Sequence, residues 1–442
     1  MSEREHSRRT FLRGAGAVGM GAAAWAGAGN LSAANAGTTG ADATAASAQT
    51  DAAAAAPGVK GKVYAGYQGW FAAAGDGSPI NSWTHWASGT PAPGNQTFEL
   101  YPDISLYPAA GLYQTGYANL GNGQPAKLFS SYSTAVVDQH FKWMQQYGID
   151  GAALQRFGSD IAATGQPRFK QRNDIQSKAR DAAQKYGRGF YIEYDISGLT
   201  DANLVSTIQN DWTNTITGSL GLTNSASYAR EGGKPVVELW GIGVLNRPGT
   251  AASSLQLINW FKSKGCYVIG GVPRGWRTDY NGKPGFASVY AALNMVSPWN
   301  VGNGVVDQQL FIDDMAKLRA NGQDYQPVIY PGFAWSNWKP GSPKNEIPRK
   351  TGNFMWQQAV AVARSGTKSA FIAMFDEYDE ATAIAPAATD KSQIPTNQYF
   401  LTLDADGTKV SSNYYLRLAG AATKMINGSA PISTTIPIPP VG

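Results

Sequence analysis

The stretch from residue 370 to residue 380 reads AFIAMFDEYDE, an apolar run that ends in four acids within five positions. Short apolar runs of this kind recur along the chain and alternate with longer segments of helical period. Such alternation predicts parallel strands joined by crossover helices. The candidate strands are residues 63–67, 149–154, 189–194, 235–240, 267–271, 295–298, 327–330 and 370–375.

Eight parallel strands from one chain close most simply into a (β/α)8 barrel, which we predict as a single domain over residues 60–428. An open doubly wound sheet is the alternative, and it would offer a glycine-rich phosphate turn after its first strand. Here that turn is GYQGW at residues 66–70, whose aromatic side chains would crowd a pyrophosphate. Residues 413–426 are expected to form the eighth helix, and residues 429–442 a C-terminal tail.

The N-terminal 36 residues have the pattern of an export signal. SRRTFL at residues 7–12 is a twin-arginine signature, a weakly apolar run follows at residues 14–29, and residues 34–36 form a small-x-small cleavage site. This resembles a Tat signal peptide. We therefore expect a secreted protein that has no membrane association after cleavage. Residues 37–59, nearly all small or polar up to Pro57, predict a disordered linker.

Composition excludes several classes of function. The net charge is +5, and four arginines lie within the first 13 residues, so the remaining charge is mild and gives no support for nucleic-acid binding. The single cysteine, Cys266, lies in an apolar run and is expected to be a buried, inert thiol. Outside the signal only His85 and His140 remain, too few for a zinc site with several histidines, and both are expected in core or surface roles. No cofactor is expected.

Tryptophans concentrate after the ends of the predicted strands, where a barrel builds its active site. A pyranose ring presents apolar C–H faces edged by hydroxyls, so a sugar cleft needs aromatic platforms beside hydrogen-bonding groups. The alternative is that these rings cap the core and seal the loops. The candidate substrate-binding residues are Trp70, Glu193, Asp195, Trp240, Arg274, Trp276, Trp299, Tyr330 and Trp335.

The acids after the eighth strand are the candidate catalytic groups. Crowded carboxyl groups can divide their roles, one protonated as a general acid and its neighbour ionised, which glycoside hydrolysis requires. A solvated acidic turn is the alternative. Glu193 and Asp195 share one strand face and could hold sugar hydroxyls or pair with Arg156, Arg274 or Arg277. Asp150 begins a strand, so a turn role at the opposite end is expected.

The segment 375–384 is similar to the acidic signature of glycoside hydrolase family 99 and of related family 71/99-like bacterial proteins. Segments at 67–71, 140–144, 148–151, 271–277 and 348–356 also resemble that group, and the resemblance spans residues 62–386. It implies a (β/α)8 glycosidase in which Glu377 acts as base on the substrate 2-hydroxyl. Glu380 would protonate the leaving oxygen and later activate water. Family 99 enzymes are endo-acting on α-mannosides, and family 71 enzymes cleave α-1,3-glucan.

This sequence departs from the family around those glutamates. Family 99 typically has NEWHEG where residues 376–381 read DEYDEA, so the glutamates carry over and the specificity does not. The leading hypothesis is a secreted, monomeric glycoside hydrolase acting on an α-linked poly- or oligosaccharide through Glu377 and Glu380. A non-catalytic carbohydrate-binding barrel and a surface protein that uses the rim for protein partners are the alternatives.

Overall fold

The structure, a computed structural model, describes residues 57–442. The predicted signal peptide at residues 1–36 and most of the predicted linker lie outside these residues. The strands in chain order are β1 (Val63–Tyr67), β2 (Leu112–Gln114), β3 (Lys127–Phe129), β4 (Gly151–Phe157), β5 (Gly189–Asp195), β6 (Arg230–Glu231), β7 (Lys234–Trp240), β8 (Tyr267–Pro273), β9 (Met295–Trp299), β10 (Asp324–Tyr325), β11 (Val328–Ile329) and β12 (Ala370–Ile372).

The strands of the main sheet pair in parallel and close into a barrel. The strand order is β10-β9-β8-β7-β5-β4-β1-β12-β11. Because β10 and β11 are two halves of one strand, interrupted at Gln326 and Pro327, the two ends of this order meet. The Gln326 backbone N–H donates to Val296 O at 3.0 Å on one side, and Pro327 O accepts from Phe371 N at 2.9 Å on the other. The predicted (β/α)8 barrel is therefore confirmed, with all eight predicted strands in place.

Helices cover the barrel between its strands. They are α1 (Thr134–Tyr147), α2 (Gly158–Ile161), α3 (Pro167–Tyr186), α4 (Leu204–Asp211), α5 (Ala251–Ser263), α6 (Ala287–Ala291), α7 (Gln308–Ala320), α8 (Asn353–Ser365) and α9 (Tyr414–Ile426). In α1 the predicted stripe Val137, Phe141 and Met144 is buried, and Gly148 ends the helix in the left-handed conformation at φ 74°. The eighth helix is α9, as the sequence predicts.

Alternation along β5 gives the barrel a polar interior. Tyr194 points outward, where its hydroxyl donates to Asp211 Oδ2 of α4 at 2.7 Å. Tyr191 points inward, where its hydroxyl donates to Glu238 Oε2 of β7 at 3.0 Å. Side chains two residues apart share a face, so Glu193 also faces the barrel interior, in register with Glu238. Acids thus lie inside the barrel below its mouth.

Both ends of the predicted domain pack more closely than the sequence indicates. Val59 is buried, its N–H donates to Glu231 Oε2 at 3.1 Å, and Pro57 O accepts from Arg230 N at 2.8 Å. The predicted linker is therefore too long, since residues 57–59 belong to the fold. At the other end Ser433 O accepts from Trp356 Nε1 at 3.0 Å, so the C-terminal tail lies against α8.

Two smaller predictions are confirmed in the fold. Cys266 is buried, and burial raises the pKa of its thiol to about 12, which keeps the thiol protonated and inert. Asp150 lies at the bottom of the barrel, where its carboxylate accepts from Val63 N at 2.8 Å and from Lys62 Nζ at 3.2 Å. Among residues 57–442 no helix has both the length and the apolar character needed to cross a bilayer.

Candidate active site

Four acids follow β12 at the mouth of the barrel and are all buried. Asp376 and Asp379 are 0% exposed, Glu377 is 3% exposed and Glu380 is 6% exposed. The loop folds back on itself, because Glu377 O accepts from Thr382 N at 3.1 Å and from Ala383 N at 2.9 Å. A solvated acidic turn, the alternative left open by the sequence, is therefore wrong.

Asp376 ties this loop to the turn that follows β1. Its Oδ1 accepts from Gln68 N at 2.7 Å and its Oδ2 from Gly69 N at 2.9 Å. Gly69 has φ 56°, a backbone conformation that glycine adopts without strain. Burial raises the pKa of Asp376 to about 6 despite these two bonds and the nearby Arg172 guanidinium. The turn after β1 and the acidic loop thus form one unit.

Gln68 reaches from that turn to the first candidate catalytic glutamate. Its Nε2 donates to Glu377 Oε2 at 2.6 Å. Its carbonyl oxygen accepts from Arg172 Nη1 at 2.6 Å, and Arg172 is paired with Asp160 at 3.1 Å. A chain of bonds from α2 through α3 therefore fixes Gln68, and Gln68 fixes the Glu377 carboxyl group. Gln68 lies in the segment 67–71 that resembles family 99, but no local feature of the sequence indicates this role.

Arg349 holds the far side of the acidic loop. Its Nη2 donates to Ala381 O and to Ala383 O, each at 2.8 Å. The guanidinium carbon lies 4.3 Å from the centre of the Tyr415 ring of α9. Burial lowers the pKa of Arg349. The loop that carries both glutamates is thus bonded to the β1 turn on one side and to the loop after β11 on the other.

His85 lies partly exposed beside the acidic loop. Its Nδ1 lies 3.1 Å from Asp379 Oδ2, and its ring stacks on Trp70 with 3.8 Å between centroids and 9° between planes. Trp70 in turn stacks on Phe157 at the end of β4. His140, by contrast, is a core residue as predicted: its ring nitrogens lie within hydrogen-bond distance of two tyrosine hydroxyls, and burial lowers its pKa to about 3.

Two of the predicted polar substrate-binding residues lie on β5, and the third follows β8, which β7 separates from β5 in the sheet. Glu193 and Asp195 are fully buried, and Asp195 Oδ1 accepts from Ser197 N at 2.9 Å. Arg274 is partly exposed at the rim, where its Nε donates to Asn300 Oδ1 at 3.1 Å. The salt bridges of the three arginines considered as partners lead to other acids: Arg156 to Asp211, Arg274 to Asp307, and Arg277 to Asp313 and Asp314.

The predicted aromatic residues lie at the strand ends and pack against one another. Trp240 and Trp299 meet edge to face at 5.3 Å, and Trp335 lies 5.6 Å from Trp338. Tyr330 donates its hydroxyl to Asn303 O at 2.7 Å. Trp70, Trp240, Trp276, Trp299 and Trp335 are each no more than 6% exposed. These residues lie at the strand ends, as the sequence predicts. Their use as platforms for sugar rings stays a prediction.

No metal centre is apparent in the part of the chain that the structure describes, because no group of three or more His, Cys, Asp or Glu side chains there is arranged to hold an ion. The chemistry available in the acidic loop is that of carboxyl groups. Glu377 accepts a bond from an amide N–H, and such a donor stabilises a carboxylate over a carboxylic acid. A second glutamate three positions on provides a separate proton donor or acceptor.

Comparison with known proteins identifies the fold. No family model and no curated protein sequence matches the chain. Two solved structures of a GH99 endo-α-mannosidase from Bacteroides thetaiotaomicron do, with TM-scores of 0.62 and 0.61 at 15% and 14% identity. The matches cover 84% of this chain and 100% and 98% of the two mannosidase chains, the second of which is in complex with Bis-Tris-propane.

The chain shares the (β/α)8 fold of these two structures. This confirms, at the level of the fold, the resemblance read from residues 62–386. In this barrel the acidic loop follows the last strand, and its glutamates lie at the end where such barrels build their sites.

Proposed function

We propose that this protein is a secreted glycoside hydrolase that cleaves an α-linked poly- or oligosaccharide with Glu377 and Glu380. The observation that carries the proposal is the burial of both glutamates in one tightly bonded loop at the barrel mouth, with Gln68 Nε2 donating to Glu377. Burial of acids is costly unless their environment is built for them. This environment draws on the turn after β1, on α2 and α3, and on the loop after β11. The likeness of the fold to two structures of a GH99 endo-α-mannosidase supports the same activity class.

The resemblance to family 99 supplies the roles of the two glutamates. Glu377 would take the proton of the sugar 2-hydroxyl as that oxygen closes on C1, while Glu380 protonates the departing glycosidic oxygen. Glu380 would then deprotonate a water molecule that opens the anhydro-sugar at C1, and the 2-oxygen would recover its proton from Glu377. The bond from Gln68 keeps the base carboxyl group in one orientation through both steps.

The test is hydrolysis of a panel of α-linked glycans by Glu380→Gln, with wild type and Glu346→Gln alongside. General acid–base assistance contributes about 10²–10⁴-fold, so turnover by Glu380→Gln is expected to fall by about that factor. Glu346 lies exposed in the loop after β11, so its variant controls for loss of a rim carboxylate. Unchanged turnover by Glu380→Gln would remove the proposed acid.

A carbohydrate-binding barrel without catalysis is the second candidate. The observation in its favour is that aspartates stand at positions 376 and 379, where family 99 has asparagine and histidine. Calorimetry separates the two readings. Glycan binding without release of reducing ends from any glycan that binds would favour the binding protein.

Export through the twin-arginine pathway is part of the proposal and has its own test. Residues 1–36 fused to a reporter are expected to direct it out of the cytoplasm, and replacing Arg8 and Arg9 by lysine is expected to block that export. Equal export by both fusions would contradict the twin-arginine assignment.

A further inference from the structure

His85 and Asp379 form a pair that the proposed chemistry leaves unassigned. Asp379 lies between the two proposed catalytic glutamates in sequence, and His85 comes from the long loop between β1 and β2. The two residues are 294 positions apart, and the pair joins His85 Nδ1 to Asp379 Oδ2 at 3.1 Å. The Asp379 side chain is 0% exposed, whereas that of His85 is 22% exposed.

The orientation of the His85 ring is fixed from two directions. Trp70 covers one ring face with nearly parallel planes, and Phe157 lies against Trp70 in turn. Asp379 holds the edge that carries Nδ1. In an imidazole ring the second nitrogen, Nε2, lies on the opposite side, so the bond to Asp379 also determines where Nε2 points.

The surroundings place His85 at the mouth of the barrel. Trp70 follows β1, Phe157 ends β4 and Asp379 follows β12, and these three strands are neighbours in the sheet. The carboxyl ends of all three point to the same face. Glu377 is bonded to Gln68 at the same carboxyl end of β1, so His85 and the proposed base lie at the same end of the barrel.

We propose that His85 is a substrate-contacting residue of this site, which binds a hydroxyl group of the sugar, and that Asp379 is the positioning residue that orients it. This inference rests on the proposed function. The side chain of His85 is 22% exposed, so a molecule that enters the barrel mouth can reach its ring, whereas its partner Asp379 is fully buried. An imidazole nitrogen suits a sugar hydroxyl because it can donate or accept one hydrogen bond.

The test compares wild type and His85→Ala on a series of monodeoxy analogues of whichever oligosaccharide wild type cleaves. A single lost hydrogen bond to a neutral group reduces kcat/KM by about 3- to 10-fold. For wild type, kcat/KM is expected to fall by that factor on one analogue, the one that lacks the hydroxyl bound by His85. For His85→Ala, kcat/KM on that analogue is expected to equal its kcat/KM on the parent oligosaccharide. Asp379→Asn is expected to give a smaller loss on the same analogue, because an amide oxygen can still accept from Nδ1–H.

Controls keep this test independent of folding. Lys185→Gln removes an exposed ion pair with Asp138 on the helical surface. It is expected to leave the ratio of kcat/KM between each analogue and the parent oligosaccharide at its wild-type value. Should His85→Ala fail to fold, His85→Asn replaces it, because asparagine tolerates the left-handed backbone at φ 65° and its side chain is shorter.

The possible outcomes separate this inference from the proposed function. If Glu380→Gln abolishes turnover but wild type and His85→Ala lose the same factor on every analogue, His85 does not contact substrate and the hydrolase assignment stands. If glycans bind without being cleaved, calorimetry measures the affinity of wild type and His85→Ala for the same analogues. One analogue is then expected to bind wild type more weakly than the parent glycan does, and to bind His85→Ala as tightly as the parent glycan does. If no glycan binds or is cleaved, both proposals are overturned.

Discussion

At each end of strand β1 an aspartate from a distant part of the chain accepts backbone hydrogen bonds, and the two aspartates differ in how much burial costs them. At the bottom, Asp150 accepts from Val63 N, pairs with Lys62 and keeps 17% of its side chain exposed. At the top, Asp376 accepts from Gln68 N and Gly69 N and is fully buried, and burial raises its pKa to about 6. The same kind of hydrogen bond is thus made with little desolvation of the carboxylate at the bottom of the barrel and with full desolvation at the top.

The difference indicates how the two ends of the barrel are used. At the bottom a carboxylate needs only to hold a strand end, so solvent and a lysine share its charge. At the top the carboxylate holds the turn whose next bond, from Gln68 Nε2, reaches Glu377. Removing water there fixes the position of that turn and strengthens every electrostatic contact nearby. The following variants break or sharpen this contrast.

Replacing Arg349 with methionine is expected to have the largest effect on the top end. The change removes two hydrogen bonds from a charged donor to buried carbonyl groups, at about 1.5–3 kcal/mol each, so we expect a loss of about 3–6 kcal/mol. Urea unfolding at pH 7 measures it. Arg364→Met is the matched control, because Arg364 is exposed and bonds only Gln308 among the contacts described. Equal losses for both variants would show that the acidic loop does not depend on Arg349.

Replacing Asp376 with asparagine is expected to change how stability depends on pH. The pKa of Asp376 is raised from 3.8 to about 6, so the stability this group contributes is present below pH 3.8 and is lost as the pH rises through 6. The total is about 3 kcal/mol. Asparagine cannot ionise, so the variant is expected to lack that part of the slope in urea unfolding between pH 4 and pH 7. Parallel curves for variant and wild type would contradict the assignment.

Replacing Gln68 with leucine is expected to impair activity more than stability. The variant keeps the backbone bonds to Asp376 and loses only the side-chain bond to the Glu377 carboxyl group, about 1.5–3 kcal/mol in the transition state. On any glycan that wild type cleaves, kcat is expected to fall about 10- to 100-fold. Gln146→Leu, on the exposed side of α1, should leave kcat unchanged. A Gln68→Leu enzyme with the wild-type kcat would separate Gln68 from the chemistry.

The smallest effect is expected at the bottom of the barrel. Lys62→Met removes an ion pair whose lysine is 44% exposed, so the free energy of unfolding should fall by no more than about 1 kcal/mol. Activity should not change, because Lys62 and Asp150 lie at the end of the barrel opposite the acidic loop. A large loss of activity would contradict the division of roles between the two ends of β1.

The barrel could be predicted from the sequence because its strands carry their own signal. Each of the eight runs is apolar or β-branched and is followed by a helical period, and the parallel pairing follows from that alternation. The split of the seventh strand could not be predicted, since it depends on how Gln326 and Pro327 bond to two different neighbours. The short hairpin of β2 and β3 was missed for a similar reason, because three-residue strands give almost no periodicity.

The sequence predicts the acids of the candidate site but not the residues that contact them. Glu377 and Glu380 stand out as charges that end an apolar run, a feature visible within ten residues. Gln68 and His85 carry no local signal, because each acquires its role from an acid roughly three hundred residues away, separated by 309 and 294 positions respectively. Only the pairing of β1 with β12 brings them together.

That pairing of the first strand with the last has a consequence for how the protein is made. Gln68 leaves the ribosome early and Glu377 late, so the two meet only when almost the whole polypeptide has been synthesised and the circle of strands has shut. Contacts between positions so far apart in sequence form slowly, and they form late in folding. Any measurement that detects an intact acidic loop is therefore also a measurement of complete folding, and a chain shortened before residue 370 would lack both that loop and the strand that closes the barrel.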